Sequence, residues 1–113
     1  MKLEGDGQLL RIFIGESDHW KGRPLHEAIL HLFRDAGLAG TTVIRGVEGF
    51  GASSRLHTTR LLQLSQDLPM IIETVDSEER IAAVLPQLDE MVTEGMVTLE
   101  RVHVITYRGR ASG

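Results

Sequence analysis

The sequence predicts an α+β fold of the ferredoxin-like kind, a β-α-β-β-α-β plait with two helices on one face of a four-stranded antiparallel sheet. Three observations lead to this prediction: four segments rich in β-branched and aromatic residues, two apolar stripes at the helical period, and their order along the chain. The 113 residues suit one domain, 1–113, with an ordered core that we expect at about residues 8–107.

The first strand and the first helix are predicted within residues 8–37. Gln8–Gly15 is dense in β-branched and aromatic residues and stops at a glycine. After a polar loop, Pro24 suits the first turn of a helix, and Gly37 suits the position just after its end. The apolar residues between them fall on one helical stripe: Leu25, Ile29, Leu32, Phe33 and Ala36.

Two further strands are predicted on either side of a long polar segment. Residues 41–47 are β-rich, and the glycines and serines of residues 49–54 end that strand because they favour loop geometry. Residues 70–75 form the next strand, after a turn at residues 67–69. Between the two, residues 61–64 predict a short ordered piece whose type the sequence leaves open.

The second helix is predicted to start at a capping box made by Asp76 and Glu79. A second apolar stripe follows, and Gly95 closes the helix. Pro86 lies inside this stripe, so we expect a kink or a break there. Residues 96–107 form the last strand, which is long enough to extend past a compact sheet.

The first strand carries apolar side chains on both of its faces. Leu10, Ile12 and Ile14 project to one side, and Leu9 and Phe13 project to the other. Since the two helices of a plait cover only one face, the second face needs another cover. The sequence therefore predicts that copies of the chain assemble.

Composition and charge narrow the function. The net charge of −4 argues against binding to nucleic acid, and the absence of cysteine excludes disulfides and thiolate chemistry. No run has the length of a membrane span and no secretion signal is evident, so we expect a cytoplasmic protein. Two local basic clusters suit a small anionic metabolite: Arg55, His57 and Arg60, and Arg101, His103, Arg108 and Arg110.

The candidate ligand site is the Gly-rich segment with its basic neighbours. Glycines let the backbone approach a ligand, their N–H groups cradle anions, and arginine grips phosphate or carboxylate. The alternatives are a turn after a strand for the glycines and solvated side chains for the rest. The predicted ligand-binding residues are Gly49, Phe50, Gly51, Ser53, Ser54, Arg55, His57, Thr58, Arg101 and Arg108.

Metal and nucleophile sites have little support in the sequence. His26 and His31 are five residues apart, off the spacing that would bring two imidazoles to one ion on a helix. Ser53 and Ser54 lack the G-x-S-x-G elbow of a serine nucleophile. We therefore predict no catalytic residue, no metal site and no enzymatic activity.

Several segments resemble a known family. Residues 37–43 with 47–51, and residues 67–73, look like the stretches that lead into and out of the T-loop of the nitrogen-regulatory PII proteins. From about Arg11 to Tyr107 the chain more closely resembles the PII-like family called domain of unknown function 190. The shared segments are Ile14-Gly15-Glu16, Pro24-Leu25, Gly37-Leu38-Ala39-Gly40, residues 49–54, His57-Thr58, Leu68-Pro69 and Glu94-Gly95.

The resemblance implies a homotrimer with clefts between subunits and a T-loop-like segment at about residues 49–67. In PII proteins such clefts hold adenine nucleotides, so ATP, ADP or a cyclic nucleotide is the implied effector, with no other cofactor. The loop would report to a partner protein, for which a membrane transporter is one candidate. C-terminal arginines of PII proteins contact phosphates, which makes Arg108 the analogue here.

The chain departs from PII proteins before its last strand. A Gly-Asp-Gly-Lys loop binds phosphate there in PII proteins, whereas residues 93–98 read Thr-Glu-Gly-Met-Val-Thr. The phosphate-binding lysine is therefore missing. Two alternatives remain open: a ligand-free trimeric interaction module, and a metal-binding plait resembling the CutA proteins.

Overall fold

The computed structural model describes residues 3–50 and 67–109. In these residues the elements are β1 (Gly5–Gly15), β2 (His19–Trp20), β3 (Arg23–Pro24), α1 (Leu25–Asp35), β4 (Thr41–Arg45), β5 (Pro69–Asp76), α2 (Glu78–Met91) and β6 (Met96–Val104). The four long strands form one antiparallel sheet in the order β4-β5-β1-β6. This is the predicted plait, and the fold class is confirmed.

One face of the sheet packs against both helices and forms the core. The alternation of side chains along each strand places every second residue on this face. Strand β5 shows it most clearly, because its side chains alternate between buried and half-buried along all eight residues. The fully buried large side chains include Leu10 and Ile12 of β1, Ile72 of β5, Phe33 of α1 and Leu88 of α2. The opposite face, which we call the open face, has no helix over it among the described residues.

A short hairpin lies within the segment predicted as a polar loop. β2 and β3 pair antiparallel, and the two residues between them, Lys21 and Gly22, have φ angles of 50° and 82°. Two central residues with positive φ are typical of a type I′ turn, which matches the twist of the flanking strands. The sequence pattern missed this hairpin because each strand is only two residues long.

The start of α2 differs from the prediction. The N-cap is Ser77, whose hydroxyl accepts from the backbone N–H of Arg80, and not Asp76. Asp76 is fully buried and accepts hydrogen bonds from the backbone N–H groups of Ala39 and Ser77. The Asp76 carboxylate, which the spacing predicted as the helix cap, therefore binds the loop before β4 instead.

Pro86 does not break α2, which runs unbroken from Glu78 to Met91. Pro86 and its neighbours Ala82, Ala83 and Gln87 are exposed. Water therefore has access to the carbonyl of Ala82, which lacks its usual N–H donor at residue 86. The predicted break is wrong, and Val84 and Leu88 on either side of the proline are both buried in the core.

The outer strands are shorter than predicted. β4 ends at Arg45 and not at residue 47, and β6 ends at Val104 and not at residue 107. Residues 105–107 leave the sheet and cross towards the loop before β4. The predicted ordered piece at residues 61–64 lies outside the described residues. Neither of the two described helices has the length and hydropathy of a membrane span.

Candidate functional site

The open face is built of rows that cross the sheet, because paired residues on neighbouring strands project to the same side. One row is apolar throughout. Ile44 pairs with Ile71, Ile71 with Phe13, and Phe13 with Met96. We call these four residues the apolar row. Ile44 is 40% exposed and Met96 55% exposed, and an apolar row that spans four strands suits contact with another protein surface.

The next row is polar and carries an ion pair. Thr42 pairs with Glu73, Glu73 with Arg11, and Arg11 with Thr98. Arg11 Nε lies 2.7 Å from Glu73 Oε2, and its Nη1 lies 3.7 Å from Glu100 Oε1. Arg11 is thus engaged by two carboxylates on the open face, and the Glu73 carboxylate is held in a fixed place.

Beyond the polar row, a groove of about 720 Å³ occupies the end of the open face. Leu9 and Val75 line it from the sheet, and Ala39 and Gly40 line it from the loop before β4. Residues 102–107 line its other side. The polar residues that line it include Thr42 and Glu73 of the open face and Tyr107 near the C-terminus. A largely apolar groove of this size with a few polar groups is typical of small-molecule sites.

The loop before β4, residues Gly37–Gly40, is held by side chains that are distant in sequence. Thr74 Oγ1 donates to the carbonyl of Gly40 at 2.5 Å, and Asp76 Oδ2 accepts from the N–H of Ala39 at 2.8 Å. Arg80 Nη1 donates to the carbonyl of Gly37 at 2.5 Å. The backbone that forms this side of the groove is therefore fixed from beneath.

A smaller groove of about 230 Å³ lies on the side of the sheet that carries the helices. Asp6, Gln8, Glu78 and Arg101 line it. Arg101 pairs with Gln8, so its side chain projects to the face opposite the larger groove of its own chain. In a single chain, Arg101 is therefore separated from that groove by the sheet.

Among the described residues, the structure does not gather the predicted ligand residues Gly49, Phe50, Arg101 and Arg108 into one site within a chain. Gly49 and Phe50 lie beyond the far end of β4, where Gly49 approaches Pro69 and Phe50 is exposed. Arg108 is exposed at the C-terminal end of the described residues. The others lie outside the described residues and stay predictions: Gly51, Ser53, Ser54, Arg55, His57 and Thr58.

The residues that line the larger groove were missed, although one of them carries a signal. Glu73 is a charged residue on an otherwise apolar face of β5, between Ile71 and Val75. A lone carboxylate on a half-buried strand face needs a partner or a ligand, and this reasoning could have singled it out. Gly40, Thr42 and Tyr107 carry no comparable signal, since only the tertiary fold brings them to Glu73.

Within the described residues, no group of three or more histidine, aspartate or glutamate side chains is placed to hold a metal ion. His26 and His31 lie on α1, at whose start His26 is half-buried, and they do not form a cluster. The described open face offers hydrogen-bonding groups and apolar surface at the groove.

Comparison with known proteins gives a family match. The model of the DUF190 family, described as "Uncharacterized ACR, COG1993", matches residues 7–104. A UPF0166 protein of Aquifex aeolicus is 36% identical over 98 residues, which cover 87% of this chain and 92% of that protein. A UPF0166 protein of Methanocaldococcus jannaschii is 34% identical over 103 residues, which cover 90% and 93% of the two chains.

Solved structures with the same fold are PII-like. CPII, a nitrogen regulatory PII-like protein from Thiomonas intermedia, was solved bound to ADP, AMP and bicarbonate and superposes with a TM-score of 0.64 at 18% identity. The match covers 92% of this chain and 99% of that one. A candidate PII-like signalling protein from Thermus thermophilus gives 0.63 at 20% identity, over 93% and 94% of the two chains. At these identities, the likeness establishes a PII-like fold.

Proposed function

The chain belongs to the DUF190 family, and from this premise we propose that it is a non-enzymatic PII-like regulatory protein that binds an adenine nucleotide on its open face. The fold class and the family resemblance inferred from the sequence are both confirmed by the family match and by the PII-like structures. What the protein binds and whom it regulates are the parts that the proposal adds.

The groove at the end of the open face is the observation that carries the proposal. Its volume of about 720 Å³ lies within the range of small-molecule sites. Leu9 and Val75 offer an apolar surface for the flat face of a base, and Glu73 and Thr42 offer polar atoms for its edge or its sugar. CPII, which shares the fold, binds ADP and AMP, so we propose the same ligand class here.

The charges around the groove indicate that the described residues of one copy of the chain do not supply all the cations that a nucleotide's phosphates require. Among the described residues that line the groove, none is lysine or arginine, and Arg11 beside it is engaged by Glu73 and Glu100. A phosphate chain requires cations. We propose that a neighbouring copy and the segment predicted from sequence supply them, with Arg101, Arg108 and Arg55 as the candidates.

The apolar row supports the assembly that this arrangement requires. Ile44, Ile71, Phe13 and Met96 lie together on the open face, and the polar row separates them from the groove. Covering them with a second and a third copy removes them from water and places the groove at the seam between copies. We propose the homotrimer that the family resemblance implies.

We also propose a signalling role, in the cytoplasm that the sequence leads us to expect. The segment at about residues 49–67 follows β4 and leads into β5, the two strands that carry Thr42 and Glu73. We propose that nucleotide binding shifts the population of conformations of this segment and alters its fit to a partner protein. A membrane transporter is the partner class that the family resemblance suggests.

Isothermal titration calorimetry on the purified protein tests the proposal. ATP, ADP, AMP and cyclic AMP are titrated separately, and GTP serves as the control for base recognition. We expect saturable heat with at least one adenine nucleotide and a stoichiometry of one per chain. Absence of heat across the whole panel, with the protein folded by circular dichroism, would reject nucleotide binding.

One observation favours a second candidate, a ligand-free trimeric interaction module. Gly95 stands where PII proteins have their phosphate-binding loop, but a Cβ at this position would lie 2.4 Å from the carbonyl oxygen of Phe13. Close packing against β1 thus explains this glycine without a phosphate. A protein that forms trimers but gives no heat with any nucleotide would support this second candidate.

A further inference from the structure

The groove has one fixed side and one side that is tied on at a single residue. The fixed side is the loop Gly37–Gly40, which Thr74 and Asp76 hold from the core. Thr74 is 2% exposed and Asp76 is fully buried, so these anchors cannot move without disturbing the core. A ligand in the groove therefore meets a rigid wall on this side.

The opposite side includes residues 105–107, which we call the C-terminal segment. It continues from β6 after the last sheet pair, Gly5 with Val104. Ile105 is 79% exposed, so the start of the segment is not packed into the core. In the part of the chain that the structure describes, both hydrogen bonds of the segment are made by Tyr107.

Those two hydrogen bonds reach different parts of the molecule. The hydroxyl of Tyr107 donates to the carbonyl of Ala39 at 3.0 Å, and its backbone N–H donates to Glu4 Oε2 at 3.1 Å. The first bond joins the C-terminal segment directly to the rigid wall across the groove. Ala39 and Tyr107 both line the groove, so this bond spans its rim.

We propose that Tyr107 is a positioning residue that fastens the C-terminal segment across the groove and slows the departure of a bound nucleotide. The proposal rests on the nucleotide-binding function proposed above. In this role Tyr107 acts without a direct contact to the ligand. The Tyr107–Ala39 bond, which we call the latch, acts through the segment, because its release lets residues 105–107 swing away from the groove.

The expected change in the dissociation rate follows from the loss of one hydrogen bond. A neutral hydrogen bond between two partly exposed groups contributes a net stabilisation that corresponds to about a five-fold change in an equilibrium. Tyr107→Phe keeps the ring and removes only the hydroxyl. We therefore expect the nucleotide to dissociate about five-fold faster from this variant, with little change in the association rate.

Stopped-flow measurements with a fluorescent N-methylanthraniloyl derivative of ADP test this expectation. The labelled nucleotide is bound and then displaced by excess unlabelled ADP, for the wild-type chain, Tyr107→Phe and Gln87→Ala. Gln87→Ala is the control, because Gln87 is exposed on α2 and does not line the groove. Thermal unfolding of all three proteins checks that their folds are equally stable.

A second readout follows the latch itself. Tyr107 is the only tyrosine of the chain, so 3-fluorotyrosine labelling gives one fluorine resonance that reports on this residue alone. We expect this resonance to shift when ADP is added to the labelled wild-type sequence. A merely structural tyrosine, remote from the ligand, would leave the resonance unchanged.

The outcomes separate this inference from the proposed function. If wild type binds ADP and Tyr107→Phe releases it at the wild-type rate, the latch is wrong and nucleotide binding stands. If ADP binds and the fluorine resonance does not respond, the latch is also overturned. If wild type binds none of the nucleotides, the proposed function fails and the latch fails with it.

Discussion

At the scale of single residues, Glu73 is the side chain on which we propose that nucleotide recognition depends most. It lies on the open face between Ile71 and Val75, where an unpaired carboxylate would be costly. Arg11 holds it at 2.7 Å, and its position in the groove leaves the carboxylate available to a ligand donor. The arrangement explains why a charged residue lies on an otherwise apolar face of β5.

Replacing this carboxylate by its amide tests that role. We expect Glu73→Gln to weaken binding of ADP by about ten-fold to a hundred-fold, since a hydrogen bond to a charged group contributes about 1.5–3 kcal/mol. Glu100→Gln is the control, because Glu100 also faces Arg11 but does not line the groove. Calorimetry of both variants gives the comparison, and equal weakening in the two would contradict a direct role for Glu73.

Gly95 provides a residue-scale prediction about stability. Its φ is 137°, and an added Cβ would lie 2.4 Å from the carbonyl oxygen of Phe13. We expect Gly95→Ala to lower the free energy of unfolding by roughly 1–3 kcal/mol through backbone strain. The control is Gly40→Ala, because a Cβ at Gly40 meets no atom within 4 Å. Urea unfolding that finds the two variants equally stable would contradict the account.

At the scale of elements, the sequence predicts well where a signal is local. The helical stripe from Leu25 to Phe33 and the glycine after it place α1 to within a residue. The start of α2 shows where local signals fail, since the sequence spacing predicts Asp76 as the helix cap. In the structure Ser77 caps the helix and Asp76 bonds to Ala39, 37 residues away. No local pattern contains that contact.

Pro86 allows a direct test of how α2 tolerates an interior proline. We expect Pro86→Ala to raise the free energy of unfolding by about 1–3 kcal/mol, because the helix regains an N–H donor to the carbonyl of Ala82. Gln87→Ala, an equally exposed neighbour, should change it by less than about 0.5 kcal/mol. Thermal and urea unfolding at one protein concentration supply the values. A less stable Pro86→Ala would show that the proline contributes something other than strain.

At the scale of the whole molecule, the order of the elements and the apolar residues on both faces of β1 were enough to predict the plait and its need for a cover. The groove could not be predicted in the same way. It is formed by Leu9, Gly40, Glu73 and Tyr107, which come from four separate regions of the chain. Only the sheet order and the crossing of residues 105–107 bring them together.

The apolar row makes assembly sensitive to charge at its centre. Phe13 pairs with both Ile71 and Met96, so we expect Phe13→Asp to place a carboxylate inside the contact between copies and to give monomers. Val47→Asp is the control, because Val47 is 92% exposed and lies outside the row. Size-exclusion chromatography with light scattering distinguishes the two variants. A Phe13→Asp protein that keeps the wild-type mass would place the contact elsewhere.

We propose that further copies of the chain cover the open face, with the nucleotide groove at the seam between copies. Sedimentation equilibrium of the wild-type protein, with and without ADP, measures the mass of the particle in solution. The account predicts three times the 12.5 kDa of one chain in both conditions. A particle of 12.5 kDa across the concentration range would leave the apolar row uncovered and would contradict the claim.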